Sequence, residues 1–297
     1  MKEALYYESL EGDSVRCRLC PHNCLIHSGR VGICYVRQNI DGKLFALAYG
    51  RTSATHLDPI EKKPLYRFRP GSLIYSISSV GCNLGCPYCQ NWEIAHPRDA
   101  FPHKNPRQVV ETMTTPLEPE QAVAQALSMR DQGNIGIAYT YNEPLIGWEY
   151  VRDTARLARE QGLSNVLVTN GFISEEPLLQ LLPFLDAVNV DIKGFSDDFY
   201  HRLGGRLQPV LQSARVMSKH CHVEVTNLLI PTWNTDDKQI SDLVDWIAEN
   251  MGPETPLHFS RYFPARKLAL PSTTLQTLRH AQEIAEERLR YVFLGNV

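Results

Sequence analysis

The sequence predicts an α/β protein, an open or partial parallel barrel of six strand–helix units preceded by a small cysteine-rich module. Three observations lead there. From Ser72 onward, short β-rich runs alternate with helical patterns, as in a parallel sheet with right-handed crossovers. Six such units are too few for a closed eightfold barrel of about 250 residues. Residues 1–71 break the alternation: they are dotted with glycine and hold four of the eight cysteines.

The first domain is therefore expected over 1–71 and the second over 72–297. In the module, Ile40-Asp-Gly-Lys43 suggests a short hairpin. Strands follow at 73–80, 135–141, 165–169, 187–192, 222–229 and 257–262, with the β-branched and aromatic content of buried strands. A helix is expected at 119–132, opened by Glu118, Pro119 and Glu120 and closed before Gly133. Another at 148–161 stops at Gly162, and Ser174 has the chemistry of an N-cap for 174–185. Helices at 206–220, 235–250 and 272–289 complete the series, the second with Ile240, Leu243, Val244 and Ile247 on one face. Residues 93–117, rich in Pro, His and Thr, read as a long loop. In such sheets ligands bind at the C-terminal ends of the strands.

Composition narrows the function. Thirty Lys and Arg against 33 Asp and Glu give a net charge of −3, which is not the basic footprint of a nucleic-acid binder. The N-terminus turns acidic at once and has no apolar secretory core. The apolar stretch 178–185 is interrupted by Gln180 and Pro183, well short of a membrane span. A cytoplasmic protein with no membrane partner is expected.

Seven of the eight cysteines fall in two tight clusters, and only Cys221 stands apart, read as inert core. Nothing suggests export, so the clusters read as metal ligation rather than a disulfide framework. Cys82, Cys86 and Cys89 place three thiols in eight residues straight after the first strand. Three thiolates can hold three irons of a [4Fe–4S] cube and leave the fourth open to a substrate or cofactor. Gly81 and Gly85 let the backbone wrap closely. A zinc loop lacking one ligand, or a redox dithiol, would use the same spacing. Cys17, Cys20, Cys24 and Cys34 form a four-thiol set that satisfies either tetrahedral Zn2+ or a second [4Fe–4S] cluster. His22 and His27 are read as surface residues beside it.

The Cys-x3-Cys-x2-Cys run, with aromatic Tyr88 before its last cysteine, resembles the radical S-adenosylmethionine (SAM) superfamily. That resemblance implies a partial (β/α)6 barrel and a [4Fe–4S] cluster on Cys82, Cys86 and Cys89. It also implies reductive cleavage of SAM to a 5′-deoxyadenosyl radical that abstracts hydrogen from a substrate. Tyr141-Asn-Glu-Pro144 stands where the family has Gly-Gly-Glu-Pro, so Asn142 and Glu143 are expected at the SAM ammonium, with Tyr141 a departure from the first glycine. Thr169-Asn-Gly171 and Asp191-Ile-Lys193 are similar to strand ends of the glycyl-radical-enzyme activases, which adds Thr169, Asn170, Asp191 and Lys193, with Tyr88, to the expected SAM site. Those activases have an Asp before Thr-Asn-Gly, where this chain has Val168. His258, Ser260 and Arg261 are candidates to face substrate or adenosine.

Combined with Cys-x2-Cys-Pro-His-x-Cys24 and Asp58-Pro-Ile-Glu-Lys-Lys-Pro64, the pattern is similar to the radical SAM member of the AmmeMemoRadiSam system, whose members resemble the pyruvate formate-lyase activating enzyme. This implies Memo-like and AMME-type proteins as partners, a reductant such as flavodoxin or ferredoxin, and a protein, peptide or small molecule as substrate. That family usually ends in a Cys-x2-Cys tail beyond Asn296. Two rivals stand beside it. One is a true glycyl-radical activase, favoured by Asp191, Lys193 and Asn91; the other is a non-catalytic zinc-binding module with no use for Glu143 or Lys193.

Overall fold

Runs of β-branched residues pair in register into one sheet that spans most of the chain. The computed structural model describes residues 1–297. Its main sheet has eight strands: β1 (Ala54–Pro59), β2 (Leu73–Ser78), β3 (Asn134–Tyr139), β4 (Ser164–Thr169), β5 (Ala187–Asp191), β6 (His222–Leu229), β7 (Leu257–Arg261) and β8 (Val292–Gly295). They lie side by side in chain order. The pairs from β2 to β8 are parallel, and β1 pairs antiparallel with β2.

The six expected strands are all present, and two more flank them. β8 is apolar but only four residues long, and β1 carries His56 and Asp58, so neither reads as a full buried strand. β1 lies on the N-terminal side of the 71/72 boundary expected from composition, yet it forms an edge of the main sheet. The sheet remains open between β1 and β8, the partial barrel anticipated from the strand count.

Helices cross over between successive parallel strands. Trp148–Glu160 shows why: Trp148, Val151, Ala155 and Ala158 recur at helical spacing and are buried, and Gly162 at φ +69° turns the chain into β4. Residues 93–117 are not the expected long loop, since they carry short helices at Trp92–Ala95, Pro97–Ala100 and Pro106–Met113. The last is opened by a reciprocal cap between Asn105 and Gln108 with Pro106 at its first position. That signal was available in Asn105-Pro-Arg-Gln108 but was masked by the polar composition around it.

The N-terminal residues form two small antiparallel sheets, one built from Tyr7–Leu10, Ser14–Cys17 and Leu25–Ile26. The other contains the expected hairpin, Arg37–Ile40 with Lys43–Ala46, plus Lys2–Glu3. A buried bidentate ion pair ties this module to the barrel. Arg37 donates to both oxygens of Glu149 at 2.8 and 3.0 Å, on the helix that follows β3.

Residues 60–68 close the bottom of the barrel. Ile60 and Leu65 pack against Ile74, Ala138, Val166 and Ala187 from four adjacent strands. Asn189 donates to the Pro64 carbonyl at 2.8 Å, while the Tyr66 and Arg67 amides donate to Glu224 at 3.0 and 2.7 Å. This explains the Asp58–Pro64 motif structurally: it is the turn from β1 into a plug. No helix is long and apolar enough to cross a membrane.

Candidate active site

The three-cysteine loop leaves β2 at the open end of the barrel, where the C-terminal ends of the parallel strands converge. Gly81 sits at φ +92°, and a Cβ there would lie 2.5 Å from the Cys34 carbonyl oxygen and 2.9 Å from Ile146. Only glycine fits this close approach between the loop and the N-terminal module. Asn142 locks the same stretch, accepting from the Ser79 amide at 3.0 Å and donating to the Gly81 carbonyl at 3.1 Å.

Cys82, Cys86 and Cys89 are free thiols. Burial pushes all three upward, while the Lys193 ammonium pulls Cys86 and Cys89 back toward the thiolate. The Leu84 amide and the Asn170 side-chain amide both point at the Cys82 sulfur, at 3.4 and 3.7 Å. Unpaired thiols lined with N–H donors and an ammonium suit an anionic iron–sulfur cluster. No three His, Cys, Asp or Glu side chains meet tightly enough around one point to hold a single ion; the thiolates of a cube each bind a different iron and are spread wider. Arg266, which sequence reasoning missed, clamps the loop from outside. It donates to the Cys86 carbonyl at 2.6 Å and to Asp99 at 2.7 Å, while the Lys267 amide donates to Pro87 at 2.8 Å.

The other expected residues gather around this loop. Lys193 and Asp191 pair at 2.5 Å, half-buried at the end of β5, while Ile192 is fully buried on the opposite side. The Tyr200 hydroxyl accepts from the Lys193 amide at 3.1 Å. Tyr88 is buried edge-on to Trp233, and its hydroxyl lies against Cys86 with no hydrogen-bond partner.

Glu143 is held in a network of donors at the ends of two strands. It is 2% exposed, and its carboxylate accepts from the Thr169 hydroxyl at 2.7 Å, the Asn170 amide at 2.8 Å and the Leu145 amide at 3.0 Å. Burial pushes its carboxyl up to about 7 against these three donors. It thus joins the ends of β3 and β4 and fixes the Thr-Asn-Gly turn. Asn170 bridges onward, donating to the Asn83 side chain at 2.9 Å.

Tyr141 occupies the place of the family's first glycine at φ 70°, the left-handed backbone that explains why glycine is usual there. Its side chain swings away from the cysteine loop, and its hydroxyl donates to Asp58.

The candidates on β7 divide: His258 is buried, while Ser260 and Arg261 are the last two residues of the strand. His258 lies at the barrel floor, buried between Glu224 at 2.7 Å and the Phe293 ring, with centroids 5.2 Å apart. Ser260 accepts from Asn296, and Arg261 donates to the Thr273 carbonyl at 2.7 Å. The alternation on β7 was legible, but the burial of His258 against Glu224 was not.

The four N-terminal cysteines line one small cavity together with Arg37 and Asn83. Burial pushes the Cys20 and Cys34 thiols up to about 12. His22, expected at the surface, donates to the Asn83 carbonyl at 2.6 Å and packs edge-on to Phe172, linking the two cysteine loops. Cys221 is half-buried, and its thiol donates to the Met217 carbonyl at 3.6 Å.

Comparison with known proteins decides the family. The Radical SAM superfamily profile matches residues 76–247, more than half of the chain. The chain belongs to the radical SAM superfamily. It is 41% identical over its whole length to an uncharacterized protein, MJ0808, of Methanocaldococcus jannaschii, covering 86% of that protein. It is also 28% identical to the pyruvate formate-lyase 1-activating enzyme of Escherichia coli K12, over 53% of this chain and 61% of the relative. The fold of SuiB from Streptococcus suis, solved with S-adenosylmethionine, superposes with a TM-score of 0.56 at 14% identity, over 76% of this chain and about half of that one (52%). This radical SAM chain is therefore an enzyme of a superfamily that uses a [4Fe–4S] cluster and SAM, acting on a substrate with electrons from a reductant.

Proposed function

We propose that Cys82, Cys86 and Cys89 hold the [4Fe–4S] cluster and that Lys193, Asn170, Thr169, Asn142, Asp191 and Tyr88 form the SAM site around it. When bound, the cluster supplies an electron that cleaves SAM to methionine and a 5′-deoxyadenosyl radical, which takes hydrogen from the substrate. The observation that carries this reading is the convergence of three unpaired thiols with the Asn170 amide and the Lys193–Asp191 pair at one end of the parallel strands.

The chain's own residues divide the work. Lys193, kept ionised by Asp191 at 2.5 Å, presents a cation for the SAM carboxylate. Glu143 acts through its neighbours, holding Thr169 and Asn170 in place rather than reaching the ammonium with a free carboxylate. The unpaired Tyr88 hydroxyl offers a donor inside the cysteine loop. Arg266 and Asn142 keep that loop from opening.

The N-terminal set, Cys17, Cys20, Cys24 and Cys34, holds Zn2+ or a second [4Fe–4S] cluster in this reading. The substrate is a protein, peptide or small molecule, with flavodoxin or ferredoxin as reductant and Memo-like and AMME-type proteins as associated partners. A glycyl-radical activase is the second reading, favoured by the likeness to the Escherichia coli activating enzyme over 162 residues.

The test is anaerobic reconstitution with iron and sulfide, then dithionite and SAM, with 5′-deoxyadenosine followed by chromatography. Product from the wild type and none from Cys86→Ala supports the assignment. A wild type that takes up zinc without iron–sulfur absorbance and gives no product sinks it.

A further inference from the structure

A second polar chamber lies inside the barrel, beside the cysteine loop and above the plug. It has a volume of about 500 Å³, and its walls include His56 and Asp58 of β1, Lys62 and Lys63 of the plug, Asn91 and Tyr141. Asn91 follows Cys89 by two residues and donates to the Tyr141 carbonyl at 2.9 Å. Tyr141 in turn directly precedes Asn142 and Glu143, so the chamber adjoins the proposed SAM site.

Lys63 is the unusual member. It is 1% exposed, yet it lines a cavity. Its ammonium donates to Asp58 at 2.7 Å and to the Tyr141 hydroxyl at 3.3 Å, and sits 4.5 Å from the centre of the Tyr141 ring. Those bonds use two of its three N–H groups, and no third protein acceptor lies within reach. A buried ammonium with an N–H left over is costly unless something accepts from it. Burial pulls the Lys63 ammonium below its ordinary range; Asp58 opposes that pull and, with Tyr141, fixes its direction. Lys62 adds a second cation at the rim, its side chain 67% exposed and 3.4 Å from Asp58. Two ammonium groups against one carboxylate leave the chamber positive; Asn91 and Tyr141 supply neutral polar surface.

We propose that this chamber binds an anionic oxygen group of the substrate, a carboxylate or a phosphate, with the Lys63 ammonium as its buried donor and Lys62 as the cation that draws it in. The proposal rests on the radical SAM reading for what the chamber serves: it holds the anionic end of a substrate whose reacting carbon faces the adjoining SAM. It gives the Asp58-Pro-Ile-Glu-Lys-Lys-Pro64 motif a task beyond plugging the barrel, and it gives Tyr141 a reason to stand where glycine is usual.

The test titrates the reconstituted protein, with SAM present and at constant ionic strength, with inorganic phosphate, succinate and uncharged dimethyl succinate. Calorimetry and thermal unfolding report binding, because a ligand of the folded state raises the melting temperature. Saturable binding of phosphate or succinate but not of the diester is expected, and the anion that binds identifies the group. Lys63→Met should weaken it about tenfold or more, the scale of one buried charged hydrogen bond. Lys62→Glu, an exposed substitution that leaves the plug intact, should weaken it several-fold and keeps the test decisive should Lys63→Met fail to fold. Equal binding of the diester, or affinity unchanged by Lys62→Glu, overturns the proposal. So does a preparation that cleaves SAM yet binds neither anion, which leaves the radical reading standing. Anion binding in a preparation that takes up no iron upholds the chamber and overturns that reading alone.

Discussion

Replacing Glu224 by Gln should loosen the barrel floor by an amount that depends on pH. The Glu224 carboxylate is fully buried and accepts from His222 at 2.9 Å, His258 at 2.7 Å and the Tyr66 and Arg67 amides of the plug. Burial by itself would push this carboxyl up. The four donors outweigh it and hold the carboxyl at about 2, against an ordinary 4.5. A lowering of that size corresponds to about 3 kcal/mol of folding stability. The folded value lies below the unfolded one, so the contribution is complete above about pH 4.5 and is lost as pH falls toward 2. The glutamine amide resembles the protonated acid, so the variant lacks this contribution at every pH. Urea unfolding of both proteins, followed by circular dichroism from pH 7 to pH 3, should show a gap of about 3 kcal/mol at pH 7, and less than half of that at pH 3. A gap that does not change with pH, or one below about 0.5 kcal/mol at pH 7, refutes the idea that an ionised Glu224 anchors the plug.

Gly81→Ala should cost at least about 2 kcal/mol, from the left-handed backbone and the contact with Cys34, and should lower the iron bound after reconstitution; normal iron content with unchanged melting would contradict the close packing. Glu149→Gln breaks the buried pair with Arg37 and should destabilise the protein by about 3–5 kcal/mol, with the N-terminal strands losing amide-exchange protection first. Uniform loss of protection across the barrel would refute the module's dependence on that pair. Arg266→Ala should reduce 5′-deoxyadenosine formation several-fold and speed cluster loss on exposure to a chelator, with global stability changed by under about 1 kcal/mol. Unchanged chelation kinetics would show that the clamp is idle.

Much of the fold was legible because parallel strands buried on both faces advertise themselves as apolar runs, and the helices between them carry clear stops such as Gly133 and Gly162. The same logic failed for β1 and β8. β1 exposes one edge and turns His56 and Asp58 toward the chamber, so it lacks the apolar run, and β8 is too short to show a period. Chemistry was legible where spacing alone confines side chains, as in Cys82–Cys89 and Asp191–Lys193. Pairing between elements was not. His258 and Lys193 both lie on the inward faces of barrel strands, yet His258 turns to Glu224 and Tyr66 of the plug while Lys193 turns to Asp191 and the cysteine loop. All of those partners but Asp191 come from elements distant in sequence. The partners of Glu143 were hidden for a related reason, because its donors Thr169 and Asn170 come from a different strand end.

The plug of residues 60–68 makes the barrel a cup rather than a tube. A tube can be fed at one end and emptied at the other, but a cup is closed at its floor. Whatever reaches the chamber must pass the cysteine loop or slip through the gap between the outer strands, and whatever is made there must leave on the same side of the plug. Turnover then becomes a matter of queueing: a spent molecule near the rim blocks the next arrival, and a guest lodged deepest is the last to depart. Inhibition by products, and a fixed sequence of arrivals, are the kinetic marks that such a vessel leaves.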